Sequence, residues 1–258
     1  MPYFMTRKGK LLDLEEGFGI LMDYNVIFIG EEHGSRISHD AELIILTGLA
    51  NKDSKLVLAL EMFECDVQEI LDAYLMGTIP EDKFLELARP WPNYLEDYRP
   101  LVEFAKKKNI PVIAANIPHR AAAAVAMANK ISSDVVGEDR IYLPKTLYLK
   151  SKEYYEHFVS SIEEMPQSSP MKGLDVDGLY KAQVLKDAAM AASLEPFLNQ
   201  RILFCCGHFH SDYHLGIPYQ LQKNHPELKI AVVTFASYVG DLPMKKRSRI
   251  GDFIWVEE

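Results

Sequence analysis

Residues 25–34 read NVIFIGEEHG, and the reading of this stretch decides the fold. Four apolar side chains in succession, three of them β-branched, end at a glycine, which suits a short strand buried on both faces. Runs of the same kind recur as KLVLALEM (55–62), IPVIAAN (110–116), RILFCCG (201–207) and LKIAVVTF (228–235). Helical patterns separate them. The first is SHDAELIILTGLANKD, with Ser38 as the expected N-cap, and segments 66–77, 80–89 and 98–108 follow. The last of these ends in lysines ahead of a proline, as a helix C-terminus should. Strands separated by helices imply crossover connections, hence an α/β fold built on a mainly parallel sheet flanked by helices. The closing FIWVEE is read as an edge strand.

One region breaks the rhythm. Residues 141–175 are rich in tyrosine, proline and polar side chains and read as a helical cap inserted into one α/β domain spanning 1–258. The next segment, VDGLYKAQVLKDAAMAASLEPF, reads as a long helix that brings Gln183, Asp187 and Met190 near one face through their i, i+4, i+7 spacing.

In open α/β sheets, ligands bind outside the carboxyl ends of the strands. Sorting the polar residues by that rule gathers Glu31, Glu32 and His33 at the end of the first strand and Glu61 at the second. His119 follows the third, His208 and His210 the fourth, and Ser237 the fifth. Four of the five strands deliver an ionisable group to one edge. Within GEEHG the side chains alternate, so Glu31 and His33 share a side and Glu32 points away. A carboxylate beside an imidazole orients the ring by a hydrogen bond, or serves as an acid/base pair or as metal ligands. The candidate catalytic set is therefore Glu31, His33, Glu61, His119 and His210. Two-histidine, one-carboxylate sites suit zinc, manganese or iron, and His33, Glu61, His208 and His210 furnish one for a divalent metal.

Composition narrows the alternatives. The 258 residues, 48% hydrophobic, suffice for a substantial core. With 28 basic and 37 acidic residues the net charge is -9, a poor match to nucleic acid phosphates. No run reaches the roughly 18 apolar residues of a membrane span, and MPYFMTRKGKLLDLEEG carries no signal-peptide pattern. The chain as given reads as soluble and cytoplasmic, or as exported if a signal has been removed. Cys65, Cys205 and Cys206 are too few for a disulfide framework, and the last two sit in an apolar run as core residues. There is no Gly-x-Ser-x-Gly elbow around Ser35, no dinucleotide fingerprint and no Cys-x-x-Cys-His for covalent haem. The MKKRSR run (244–249) reads as a solvated loop. Tyr142, Tyr148, Tyr154 and Tyr155 crowd the cap; tyrosines there are amphipathic packing residues, or phenolate ligands for haem iron.

Five blocks carry a family resemblance: GKLLDLEEGFGILMDYNVIFIGEEHG, LALEMFECDVQEILDAYLMGTI, YRPLVEFAKKKNIPVIAANIPH, KAQVLKDAAMA and GHFHSDYHLGIPYQL. In this order and spacing, over most of residues 9–221, the chain resembles the ChaN-like cofacial haem-binding family. More remotely it is similar to the erythromycin esterases and the TraB/Tiki group, through two Gly-x-x-His motifs, Gly30 to His33 and Gly207 to His210, with Glu61 between them. Relatives commonly have arginine after NIP, where this chain has His119 followed by Arg120. The resemblance implies a sheet with a helical cap and a cleft at the strand ends. It also implies haem, held by a cap tyrosine such as Tyr154 or Tyr155, as a face-to-face pair across a homodimer, in iron or haem handling. The remote resemblance implies a hydrolase, esterase- or peptidase-like, using the Glu/His cluster.

Overall fold

The computed structural model describes residues 1–149, 151–169, 171–240 and 244–257. Its eight strands are β1 (Tyr3–Thr6), β2 (Leu11–Leu12), β3 (Val26–Glu31), β4 (Leu56–Glu64), β5 (Val112–Asn116), β6 (Arg201–Gly207), β7 (Ile230–Phe235) and β8 (Phe253–Val256). They form one mixed, mostly parallel sheet in the order β2-β1-β8-β7-β3-β6-β4-β5. Every residue of β3, β5 and β7 is buried, which explains why these strands are apolar along nearly their whole length rather than alternating.

Helices cover both faces. α1 (Leu14–Leu21), α2 (Arg36–Ala50), α3 (Gln68–Leu75), α4 (Glu81–Ala88) and α5 (Arg99–Lys108) precede β5, and α6 (His119–Ala128) and α7 (Ser133–Val136) follow it. α8 (Lys152–Glu164) lies in the cap, and the long α9 (Val176–Ser193) returns the chain to β6. One core layer joins α1–α5 to the sheet through Leu21, Ile45, Leu71 and Leu101, and a second joins α9 to the other face through Met190 and Leu194. α5 has its lysines in the last turn, where they meet the negative end of the helix dipole, and ends at Asn109 in the left-handed region.

Three expectations change. The final strand is interior: β8 pairs parallel with β7 and antiparallel with β1, so the N-terminal strand is what covers it. That strand escapes a pattern search because it has four residues and buries one side chain, Phe4, edge-on against Phe18, Phe253 and Trp255. α2 starts earlier than expected, capped by Ser35, whose hydroxyl accepts the Ser38 amide; Ser38 itself is buried in the first turn. The MKKRSR run is helical, within Met244–Ile250, and the side chains of Met244, Lys245 and Arg247 lie outside the described residues. Cys205 and Cys206 are fully buried core residues, as expected.

Candidate functional site

β3 and β6 run side by side, with Gly30 opposite Cys206 and Glu31 opposite Gly207. A methyl group on Gly207 would stand 2.6 Å from His33 Nε2, and one on Gly30 would stand 2.6 Å from Ser211 Oγ and 3.0 Å from His208 Cα. Each glycine is thus the space through which the other motif's turn passes. The two Gly-x-x-His motifs interlock, and their spacing follows from that contact.

His33 projects from the turn after β3 with nearly half its side chain exposed, against the edge of Trp91. Its Nδ1 lies 2.6 Å from Glu31 Oε1, which also accepts the Tyr98 hydroxyl at 2.9 Å. Glu31 is wholly buried, so it steadies the ring from beneath, and Glu32 points to solvent. Burial works against charging His33, but the bond to Glu31 and the charge of Glu61 raise its pKa above the ordinary value.

The second imidazole is enclosed. His210 Nδ1 is 2.6 Å from Asp187 Oδ1 and its Nε2 is 3.2 Å from Glu61 Oε1. Asp187 also accepts the Tyr154 hydroxyl at 2.7 Å, while Gln183 donates towards that hydroxyl at 3.3 Å. Glu61 Oε2 accepts the Gly207 amide at 2.8 Å, tying β4 to β6. Burial opposes both charges, yet the charge and hydrogen bond of His210, the charge of His33 and the Gly207 amide together outweigh it and hold Glu61 at about 2, while Glu61 and Asp187 together raise His210 to about 10.

Above these groups is a cavity of about 490 Å³, within the usual range of ligand pockets. Its floor is His33, Glu61, His119, His208 and His210, and its cap wall is Phe158, Ile162, Met165 and Met171, with Lys186 also on the lining. The strand-end sorting therefore brings Glu61, His33, His119, His208 and His210 to one cavity. His208 turns its Nδ1 to Asp212 Oδ2 at 2.9 Å, and Arg120, next to His119, is directed to Asp66 and Asp139. Ser237 is exposed and does not line the cavity. Tyr154 is 4% exposed, and burial together with Asp187 pushes its phenol well up; Tyr155 donates to Asp177 at 2.7 Å on the cap surface.

Some participants escape a strand-end rule. Asp187 and Gln183 arrive from the middle of α9, where only helical spacing hints at a shared face. Trp91 and Tyr98 come from the loop and π-helical turn before α5, and His39 and Glu42 from α2; a buried i, i+3 polar pair within SHDAELIIL was the available signal.

The sequence matches the family described as haem-binding uptake, Tiki superfamily, ChaN over residues 18–221. Among solved structures, the fold is similar to that titled cofacial heme binding to ChaN of Campylobacter jejuni, with a TM-score of 0.77 and 20% identity, covering 100% of this chain and 97% of that one. The type III effector HopBA1 gives a TM-score of 0.48 at 14% identity over 85% of this chain and 81% of that one. Protein RETICULATA-RELATED 5, chloroplastic, of Arabidopsis thaliana is 22% identical over 91% of this chain, which spans 34% of that relative's length. No helix among the described residues is long and apolar enough to cross a membrane.

Proposed function

Since the chain belongs to the ChaN family of haem-binding proteins, we propose that it binds haem, or a related planar iron ligand, in the cavity at the strand ends and serves iron or haem handling. The observation that carries this reading is the cavity's two-sided chemistry: imidazoles below, an apolar and thioether wall above, and a lysine on the lining. Haem iron takes imidazole, thioether or phenolate ligands, and the macrocycle is apolar with anionic propionates. The donor set of His33, His119, His208, Met165 and Met171, with Lys186 for a carboxylate, fits that group. Haem bound there would supply the redox and ligand chemistry of its iron. The protein's own part would be to shield the ring, set its orientation and offer a donor side chain to the iron.

Titration with hemin should give a saturable Soret shift, weakened by His33→Ala or by Met165→Ala. A shift lost only with Tyr155→Phe would move the haem to the outer face of the cap, where a face-to-face pair across a homodimer becomes the geometry; sedimentation with and without hemin reads that. No shift above that of an unrelated acidic protein would sink the proposal.

The Glu31–His33 pair favours a second reading, acid–base hydrolysis. Its imidazole holds its proton above the ordinary histidine range, backed by a buried carboxylate and open to the cavity, as a general acid requires. A divalent ion on His33, Glu61 and His210 would instead supply an acidified water. An ester, amide and phosphoester panel with His33→Ala as control tests this, and turnover indifferent to that change removes it.

A further inference from the structure

Beneath the cavity floor lies a second polar cluster, which shares Glu31 with the site above and adds His39 and Glu42, residues that neither reading uses. We propose that Glu31, His39 and Glu42 form a closed site for one divalent cation of the zinc class, whatever the cavity above takes. His39 and Glu42 sit three residues apart on α2 and face the end of β3; the three residues are 0, 5 and 0% exposed. His39 Nδ1 is 3.1 Å from Glu31 Oε2 and 3.2 Å from Glu42 Oε2, and one donor atom from each residue lies within 4.8 Å of the others. Zinc holds nitrogen and oxygen ligands at about 2.0–2.2 Å, so a tetrahedral site separates neighbouring donors by roughly 3.3 Å. The observed separations approach that edge.

A further observation points to a cation ligand set. Glu31 Oε2 and Glu42 Oε1 are buried and receive no hydrogen bond, an arrangement that is costly for a carboxylate. The surroundings add a third carboxylate: Asp97 Oδ2 stands 3.4 Å from His39 Nε2, and among the described residues no lysine or arginine pairs with Glu31, Glu42 or Asp97. The π-helical turn Tyr94–Tyr98 delivers Asp97 and Tyr98 to this cluster, and such turns concentrate at functional positions. Glu31 divides its labour: Oε1 serves His33 and Tyr98, and Oε2 is left for the ion. The ion would thereby act on the cavity histidine through the carboxylate that orients it.

The test is refolding of the full chain with Zn²⁺, exhaustive dialysis and elemental analysis, repeated with Co²⁺ to read the visible absorption of a tetrahedral site. The expected result is one equivalent of metal, reduced roughly 100-fold or more in affinity by Glu42→Gln and by His39→Gln. His210→Gln, in the cavity, should keep it. Metal lost with His210→Gln but kept with Glu42→Gln would place the ion in the cavity and overturn the proposal. So would a wild-type protein that retains no metal. Hemin binding is measured separately, so failure here and failure of the haem reading are distinguishable.

Discussion

His33 and His210 occupy equivalent places in two interlocked motifs, yet they are built for different work. His210 is closed in by Asp187, Glu61 and Gln183, with both ring nitrogens engaged and almost no exposure. His33 has one carboxylate partner and an open face towards the cavity. The enclosed ring is structural in the sense that it fastens α9, β4 and the turn after β6 to one another. The open ring is available to a ligand. The same residue type at the same motif position thus divides into a fastener and a contact.

Breaking the fastener should give the largest effect. Asp187→Ala leaves a buried imidazole with half its partners and should cost about 3–5 kcal/mol in urea denaturation; a loss below about 1 kcal/mol would erase the distinction between the rings. The pH dependence of stability comes next. Glu61 falls from an ordinary 4.5 to about 2, so its contribution is present above 4.5 and lost as pH drops towards 2. His210 rises from 6.5 to about 10, so its contribution is full below 6.5 and lost as pH climbs towards 10. Denaturation midpoints should therefore peak between these limits, and His210→Ala should flatten the alkaline limb.

Smaller effects sharpen the contrast. Gly30→Ala meets backbone at His208 and should destabilise by about 1–3 kcal/mol. Gly207→Ala meets the far end of a side chain, so it should spare stability better while displacing His33, visible as altered hemin affinity. His33→Ala should change stability by no more than about 0.5 kcal/mol, since the ring is half exposed. An equal loss from His33→Ala and Asp187→Ala would reverse the comparison.

The sheet and the strand-end histidines were legible because buried parallel strands are continuous apolar runs and because polar groups at their carboxyl ends stand out. The alternation within GEEHG correctly paired Glu31 with His33. What did not show is what arrives sideways. Helical spacing sets Asp187 on one face with Gln183, but its partners Tyr154 and His210 are remote in sequence; only folding puts these groups in contact. β1 was invisible because a short strand with one buried side chain gives no periodic signal.

The pairing of β3 has a consequence in time. Its two neighbours are β6 and β7, so the strand that begins the site finds no lateral partner until residues beyond 201 have been made. Contacts so distant along the chain form late and slowly, and during synthesis VIFIG waits as an apolar strand with both edges open. The sheet's centre closes only with β6 and β7, and β8 then joins the β1 edge to it. The interlocked glycines and histidines close with it, so a nascent chain has no cavity until the segment from Arg201 onward arrives.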